Sequence, residues 1–279
     1  MGALGCLING APGDVVAVSD RGLQYGDGLF ETIAVRNGHP CLWYRHIERL
    51  RRGSRVLGLP MPPPNCLLDE CLTLIRRHQD DGVLKIILTR GSGGRGYMPP
   101  ADATPVRILS FYPSPDYPRT WQDAGVTVTL CRTPMSENRR LAGLKHLNRL
   151  DQVLARKEMS GGGAVEGLMC DSHGCVIGGT MTNLFLWTDG LLTTPKLDTC
   201  GIAGTVRELV LEEAQRSGIP VRINAIRLPE IGQAQGMFLT NAVAGVWPVR
   251  RFLDNNFDVN RLPVPLLEMV RRQTHQPEQ

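Results

Sequence analysis

The proline-rich segment at residues 113–118 constrains the fold of this chain more than any other sequence feature. Proline lacks a backbone N–H and fixes φ, so the segment cannot continue a helix interior or a central strand. Long amphipathic helices are predicted before it, at residues 44–59 and 66–78, whereas short strands dominate after it. Because boundaries fall in such segments, and 279 residues suffice for two modest domains, we predict domains at 1–117 and 118–279.

The first of these domains contains strand-like runs and two glycine-rich segments. Three glycines within residues 20–32 predict tight turns rather than a packed helix. Residues 90–97 form a glycine loop with two arginines, for which a plain hairpin loop and an arginine clamp for a carboxylate are equally good interpretations. Asn37-Gly38 is typical of a hairpin turn. Strands are predicted at residues 6–10, 15–18, 32–36, 83–89 and 106–112.

The second domain is predicted to consist of short strands with turn residues between them, together with three helices. The first helix is predicted at residues 146–160, with Leu147, Leu150 and Leu154 as its apolar stripe. The others are predicted at 202–217 and 264–273. Strands are predicted at residues 125–131, 164–170, 175–177, 183–187, 191–194, 221–223, 236–240 and 247–252.

Composition excludes several classes of protein. The net charge of +4 is spread along the chain, so no nucleic-acid-binding arm is expected, and no apolar run reaches membrane-spanning length. The first residues lack the pattern of a signal peptide, so we expect a cytoplasmic protein whose eight cysteines are reduced. Cys170, His173 and Cys175 lack a fourth ligand, so we predict no metal; a metal protein is the weakest alternative.

Lys145 is the strongest candidate for chemistry. It is the only lysine between Lys85 and Lys157, and apolar or small residues precede it. A lysine at the mouth of the predicted helix 146–160 can be partly desolvated and lose its proton. A neutral amine is what Schiff-base chemistry with a substrate carbonyl or with pyridoxal phosphate requires. The alternative is a surface lysine that caps the end of a strand.

Other residues suggest a site for a phosphate. Backbone N–H groups at Gly204-Thr205 would face an anion at the start of a helix, and Thr205 adds a hydroxyl. Thr240-Asn241, at a predicted strand end, could add donors, and Arg49 could reach a phosphate as a bidentate fork. Each residue has an ordinary explanation in helix capping, turn formation or solvation. Together with the lysine, they indicate a phosphorylated aldehyde cofactor.

A set of motifs extends nearly from end to end of the chain. They lie at residues 20–22, 25–28, 46–50, 90–97, 143–150, 183–185 and 204–207. With these motifs the chain resembles the fold-type IV pyridoxal-phosphate enzymes, the family of branched-chain and D-amino-acid aminotransferases. Residues 145–150 and the loop that ends in Arg95-Gly96-Tyr97 are most similar to the aminodeoxychorismate lyases within that family.

The resemblance implies an α+β fold with a small α/β N-terminal domain and a larger pseudo-barrel domain that carries the lysine, in a homodimer. It implies conversion of 4-amino-4-deoxychorismate to 4-aminobenzoate and pyruvate, a step of folate biosynthesis. A D-amino-acid or branched-chain aminotransferase and a non-catalytic relative that binds pyridoxal phosphate are the alternatives. The implied cofactor-binding residues are Lys145, Arg49, Gly204, Thr205, Thr240, Asn241 and Gly178; the catalytic residues are Lys145 and Thr32; the substrate-binding residues are Arg95, Tyr97, Arg90 and Tyr25.

Gly178 departs from the family pattern. In the family, a glutamate five residues before the asparagine of Asn-Leu-Phe pairs with the ring nitrogen of the cofactor, and counting back from Asn183 gives Gly178. A carboxylate there keeps the ring protonated and electron-withdrawing. Without it, the resemblance implies a slower enzyme, by roughly two orders of magnitude if about 3 kcal/mol of stabilisation is missing. Glu166 and Asp171 lie nearby but do not occupy the motif position.

Overall fold

The computed structural model describes residues 2–78 and 80–276, which form two compact units. The first unit comprises the chain up to Pro115, Leu144–Asn148 and, at the C-terminal end of the described chain, residues 275–276. The second consists of Asp116–Gly143 and Arg149–Thr274. The boundary between the units lies within the proline-rich segment, two residues before the predicted boundary. The segment with Lys145 belongs to the first unit, whereas the sequence had assigned it to the second.

The first unit is built on an antiparallel sheet of six strands in the order β2-β1-β6-β5-β3-β4. Its long central strands pair over their full length, from Gly28 opposite Thr89 to Val35 opposite Gly82. The strands are β1 Gly5–Ile8, β2 Ala11–Pro12, β3 Gly28–Arg36, β4 His39–Pro40, β5 Gly82–Thr89 and β6 Val106–Pro113, and the helices are α1 Arg21–Tyr25, α2 Trp43–Leu57 and α3 Pro64–His78.

One face of this sheet forms the apolar core with α2 and α3. Alternation along β3 directs Leu29, Ile33 and Val35 to that face, because successive side chains of a strand point to opposite sides. On α2, Ile47 and Leu50 are buried at helical spacing. Position 31, which shares the core face of β3, carries a glutamate, and this exception becomes the centre of a buried polar cluster.

The second unit contains a nine-stranded mixed sheet in which β12-β11-β10-β13-β14-β7-β8-β9 lie in that order and β15 pairs with β14. The β7 strand is parallel to both β14 and β8. Its strands are β7 Val126–Leu130, β8 Glu166–Cys170, β9 Val176–Gly179, β10 Asn183–Thr188, β11 Leu191–Pro195, β12 Val221–Asn224, β13 Gly236–Asn241, β14 Gly245–Phe252 and β15 Asn255–Asn256, and its helices are α4 Thr120–Asp123, α5 Leu150–Glu158, α6 Thr205–Arg216, α7 Leu228–Gln233, a 3-10 turn Val259–Arg261 and α8 Val264–His275.

The core of the second unit is formed mainly by its strands. Trp247 is fully buried, and its indole ring meets the rings of Tyr117 and Trp121 edge-on at centroid distances of 5.0 and 5.3 Å. Phe185 and Phe238 stack on neighbouring strands at 4.9 Å. The curled sheet and the mixed α/β composition confirm the predicted fold class.

The predicted helix at residues 146–160 is wrong in its first turn, because α5 begins only at Leu150. The preceding residues pair with β3 instead: Phe30 N donates to Lys145 O and Leu147 N donates to Gly28 O. The predicted apolar stripe is also wrong, since Leu150 and Leu154 are exposed. A local 3.6-residue period was therefore outweighed by backbone pairing with a strand distant in sequence.

Three further predictions need correction. Residues 15–18 are not a strand, and Val15 and Val18 are exposed. The turns expected within residues 20–32 include the short helix α1, which Asp20 caps at its N-terminus through Gly22 N and Leu23 N. The helix predicted from residue 202 begins at Thr205. In the described part of the chain, no helix is both long and apolar enough to cross a membrane.

Candidate functional site

The backbone of Lys145 is fixed in the first unit by pairing with β3. Its carbonyl accepts from Phe30 N at 2.9 Å, and Leu147 N donates to Gly28 O at 3.0 Å. The Lys145 Nζ lies 4.2 Å from the centroid of the Phe30 ring, within the range of a cation–π contact. The lysine is therefore half-buried in a defined position, and does not cap an exposed strand end.

Thr32 lies two residues after Phe30 on β3, so the two side chains share one face of the sheet. Lys145 Nζ contacts the Phe30 ring on that face. Lys85, opposite Thr32 on β5, places its Nζ 5.8 Å from the same ring centroid. Thr32 therefore lies on the sheet face against which the candidate lysine packs, and its catalytic role stays a prediction.

Glu31 forms a fully buried cluster with two residues of α2. Arg49 Nε donates to Glu31 Oε1 at 2.8 Å, and Arg49 Nη2 donates to Glu31 Oε2. His46 Nδ1 lies 2.6 Å from Glu31 Oε2, and His46 Nε2 has no hydrogen-bond partner among the described residues. The two-bond fork fixes the plane of the Arg49 guanidinium.

The electrostatics of this cluster depend on Glu31 remaining ionised. Burial alone would raise the pKa of its carboxyl, but the charge and hydrogen bonds of Arg49, with a contribution from His46, outweigh burial and lower the pKa to about 2. Burial lowers the pKa of His46, and Glu31 opposes that shift. We therefore describe the cluster as a carboxylate paired with a guanidinium beside a neutral imidazole.

Arg49 remains a predicted phosphate ligand, now with a partner that orients it. Sequence reasoning missed Glu31, although a signal was available. A charged residue at position 31 interrupts the apolar face formed by Leu29, Ile33 and Val35, and a buried charge requires an opposite charge nearby.

Arg90 does not fit its predicted role in binding a substrate carboxylate. Its side chain is buried, and its Nε and Nη2 donate to Asp27 at 2.7 and 3.0 Å. Nη1 and Nη2 also donate to the carbonyls of Gly58 and Leu57, at the C-terminus of α2. Most of its donors are thus used within the fold, and Arg90 is corrected to a structural residue.

Arg95 and Tyr97 are exposed in the loop at residues 90–97, which we call the glycine loop. The ring of Tyr97 meets that of Tyr25 edge-on at 5.5 Å. The Tyr25 hydroxyl accepts a long hydrogen bond from Gly96 N at 3.4 Å. Tyr25 and Tyr97, two of the four residues predicted to bind substrate, are therefore in contact, and Arg95 lies two positions before Tyr97 in the same loop.

In the second unit, the start of α6 has the features expected of an anion site. Gly204 is the N-cap residue and has no side chain to cap the helix, so backbone N–H groups at this end lack a side-chain acceptor. A Cβ at position 204 would lie 2.1 Å from Asn183 Oδ1, so a larger residue here would displace the Asn183 side chain. The Thr205 hydroxyl is buried and has no partner among the described residues.

Thr240 and Asn241 end β13 in the same unit. Its hydroxyl is buried without a hydrogen-bond partner in the described chain. Asn241 Oδ1 accepts from Val243 N and Ala244 N at 2.9 and 2.7 Å, which closes the turn to β14. The two orphaned threonine hydroxyls are therefore the observation that fits a phosphate best.

Gly178 lies in β9, where its backbone is tightly enclosed. A Cβ built there would be 2.8 Å from the carbonyl oxygen of Thr182, and that oxygen accepts from Gly179 N at 2.8 Å. The carboxylate of Glu166, on the neighbouring strand β8, is used within the fold. Its two oxygens accept from the backbone N–H groups of Thr180 and Met181 at 3.1 and 3.2 Å and from neighbouring threonine hydroxyls, so they hold the β9–β10 turn.

Metal binding by Cys170, His173 and Cys175 is the weakest alternative that the sequence offers. Among the described residues there is no group of three or more histidine, cysteine or acidic side chains that could hold a metal ion, so Cys170, His173 and Cys175 do not make one. None of the eight cysteines forms a disulfide.

Comparison with known proteins gives a consistent result. The sequence profile of the amino-transferase class IV family matches residues 28–252. The chain is 34% identical over 265 residues to aminodeoxychorismate lyase of Vibrio harveyi, covering 95% of this chain and 96% of that protein. It is also similar to the crystal structure of 4-amino-4-deoxychorismate lyase from Pseudomonas aeruginosa, with 46% identity, a TM-score of 0.91 and coverage of 96% and 98% of the two chains.

An aminotransferase with the same fold is more distant. The branched-chain amino acid aminotransferase of Escherichia coli has a TM-score of 0.84 but 22% identity, covering 97% of this chain and 93% of that one. This likeness confirms the predicted fold.

Proposed function

The chain belongs to the amino-transferase class IV family, and from that premise we propose that it is a pyridoxal-phosphate-dependent aminodeoxychorismate lyase. The reaction converts 4-amino-4-deoxychorismate to 4-aminobenzoate and pyruvate, as a step of folate biosynthesis. The observation that carries the proposal is the 46% identity, at a TM-score of 0.91, to a lyase of that name. The Vibrio relative has the same name and matches almost the whole chain.

The residues of each unit fit the cofactor. Lys145, half-buried against Phe30, would join its amine to the aldehyde, and Arg49, fixed by Glu31, would bind the phosphate. In the second unit, the phosphate donors would be Gly204, Thr205, Thr240 and Asn241; the orphaned hydroxyls of Thr205 and Thr240 support this assignment. When bound, pyridoxal phosphate supplies an aldehyde for the substrate amine and a ring that withdraws electrons.

Lys145, released as a free amine when the substrate amine replaces it on the aldehyde, would then act as a base. It takes the proton from the substrate carbon that bears the amino group, and the electrons released break the carbon–oxygen bond to the enolpyruvyl group. That group leaves and takes up a proton as pyruvate, while the six-membered ring becomes aromatic. Thr32 lies on the same sheet face as Phe30 and would assist near the reacting atoms. Arg95, Tyr97 and Tyr25 would bind the substrate, with Arg95 pairing with a carboxylate.

In this proposal, the glycine at position 178 slows the lyase reaction. With no carboxylate at position 178, and with the oxygens of Glu166 committed to the β9–β10 turn, the ring nitrogen lacks a charged partner from this hairpin. A weaker electron sink slows proton removal, whereas formation of the aromatic ring favours the lyase reaction. A lyase therefore tolerates Gly178 better than an aminotransferase does.

An aminotransferase is the second candidate. The chain is 30% identical to a putative branched-chain-amino-acid aminotransferase of Methanocaldococcus jannaschii, over 84% of this chain and 81% of that protein. Such an enzyme would convert bound cofactor to its amine form with D-alanine or leucine alone. A relative that binds the cofactor without catalysis would give a cofactor absorbance band that no substrate changes.

The test uses purified protein loaded with pyridoxal phosphate and supplied with 4-amino-4-deoxychorismate. We expect 4-aminobenzoate and pyruvate in equal amounts, and no product from a Lys145→Ala variant. Lys157→Ala is the matched control, because Lys157 is exposed on α5 and should leave turnover unchanged. Product formation that persists in Lys145→Ala would refute the proposal.

The quaternary structure and location complete the proposal. The protein acts as a homodimer in the cytoplasm, where the absence of disulfides among its eight cysteines is the expected state. Light scattering coupled to size-exclusion chromatography should give twice the 30.7 kDa chain mass. A monomer with full activity would contradict the dimer.

A further inference from the structure

A buried arginine of α1 anchors the glycine loop of the first unit. Arg21 is 3% exposed, and a buried guanidinium needs acceptors for its charge and donors. Its Nε donates to Asp27 Oδ2 at 2.9 Å. This ion pair uses Nε and leaves the two terminal nitrogens, Nη1 and Nη2, to donate to other acceptors.

The terminal nitrogens of Arg21 bond to the backbone of the glycine loop. Nη1 donates to Gly96 O at 2.9 Å, and Nη2 donates to Tyr97 O at 2.8 Å. The loop contains glycines at positions 91, 93, 94 and 96, so ordering its backbone costs more conformational entropy than ordering an ordinary segment. Two charge-assisted hydrogen bonds at its far end offset part of that cost.

The same helix contacts the loop at other points. Arg21 N donates to Gly91 O at 2.8 Å near the beginning of the loop. The Arg21 guanidinium carbon lies 4.8 Å from the centroid of the Tyr25 ring, which in turn packs against Tyr97. One short helix therefore holds the loop at both ends, and Arg21 contributes at each of them.

Asp27 has a second arginine partner, so Arg21 can be replaced without leaving a partly buried carboxylate unpaired. Its carboxylate accepts from Arg90 as well as from Arg21, at 2.7 and 3.0 Å from the Arg90 nitrogens. Removing the Arg21 side chain would therefore leave Asp27 paired with a second arginine. A variant at position 21 avoids the uncompensated buried charge that usually makes such substitutions severe.

We propose that Arg21 is a positioning residue for substrate recognition, which holds the carbonyls of Gly96 and Tyr97 and thereby aims the side chains of Arg95 and Tyr97 at a substrate that carries carboxylates. The inference rests on the proposed function, because that function makes Arg95 and Tyr97 substrate ligands. Arg21 acts through the loop backbone and touches no reacting atom.

The experiment compares Arg21→Lys and Arg21→Met with the wild type, all as full-length protein loaded with cofactor. Lysine keeps the charge near Asp27 but lacks the fork that reaches both carbonyls, so KM should rise about tenfold or more in both variants, while kcat stays within about twofold. Arg77→Met is the matched control, because Arg77 is exposed on α3. It should change neither constant.

Limited trypsin cleavage tests the anchoring without substrate. Cleavage after the exposed Arg95 should be several-fold faster in both Arg21 variants, whereas cleavage after the exposed Arg139 and Arg140 of the second unit should keep its wild-type rate. Unchanged cleavage after Arg95, or a fall in kcat at constant KM, would overturn the inference. A wild type that forms no 4-aminobenzoate would instead refute the proposed function, and the trypsin result would still decide whether Arg21 anchors the loop.

Discussion

Replacing Glu31 by glutamine tests the buried cluster of the first unit. Glutamine keeps the shape of the side chain but removes the charge that pairs with Arg49, so a buried guanidinium loses its counter-ion. The pKa of Glu31 falls from its ordinary 4.5 to about 2, because Arg49 and His46 outweigh the effect of burial. A carboxyl shifted to that extent contributes roughly 3 kcal/mol to the free energy of unfolding at neutral pH.

The direction of the pH dependence follows from that shift. A carboxyl whose pKa is lower in the folded state stabilises the protein above its unfolded pKa, and this stabilisation is lost as the pH falls through the folded pKa. For Glu31 the loss extends from about pH 4.5 down to about pH 2. At pH 3 the difference in the free energy of unfolding between the wild type and Glu31→Gln should be about 2 kcal/mol smaller than at pH 7.

Urea unfolding of both proteins between pH 7 and pH 3 measures this difference. Glu48→Gln is the control, because Glu48 pairs with Arg51 on the exposed side of the same helix. Its difference from the wild type should stay within about 0.5 kcal/mol across the range. The reasoning is refuted if the Glu31→Gln difference does not depend on pH, or if it matches that of Glu48→Gln.

Three further predictions concern the cofactor and the departure at position 178. Thr205→Val and Thr240→Val should each weaken pyridoxal phosphate binding by about tenfold to a hundredfold, because each removes a buried hydroxyl that could donate to the phosphate. Binding of pyridoxal, which lacks the phosphate, should change little. An equal loss of affinity for both ligands in an absorbance titration would contradict a phosphate role. Gly178→Ala should lower the free energy of unfolding by about 1–3 kcal/mol in urea, since its Cβ would lie 2.8 Å from Thr182 O, and an unchanged midpoint would argue against that contact. Gly178→Glu should raise kcat by up to about 100-fold over Gly178→Ala, which carries the same Cβ without the carboxylate, and equal kcat values would show that the chain has adapted to the glycine.

Much of the fold could be predicted because its signals are local. The stripes of α2 and α3 and the long strands β5 and β6 follow from apolar periodicity, and the turn at Asn37-Gly38 has φ values of 50° and 76°, as a primed hairpin turn requires. The predicted first turn of the helix at 146–160 was wrong because the structure there is set by residues distant in the sequence. Its backbone pairs with Gly28 and Phe30, more than a hundred positions away, and no local period reveals such pairing.

The candidate site, too, could be predicted only in part from the sequence. Lys145, Thr205 and Thr240 could be proposed from residue type and position, and the structure adds the contact with Phe30 and the two orphaned hydroxyls. Arg90 and Arg21 could not be distinguished from Arg95 in the sequence, since all three are arginines beside glycines. Burial separates them from the exposed Arg95, and burial depends on how the elements of the unit pack.

Covalent trapping of the cofactor tests the central claim most directly. The protein is incubated with pyridoxal phosphate, reduced with borohydride, digested with trypsin and examined by mass spectrometry. The account predicts that the reduced cofactor is found on the peptide at residues 141–149, attached to Lys145, whose modification also prevents cleavage at that position. A label on Lys85 or Lys157 instead, or no label at all, would contradict it.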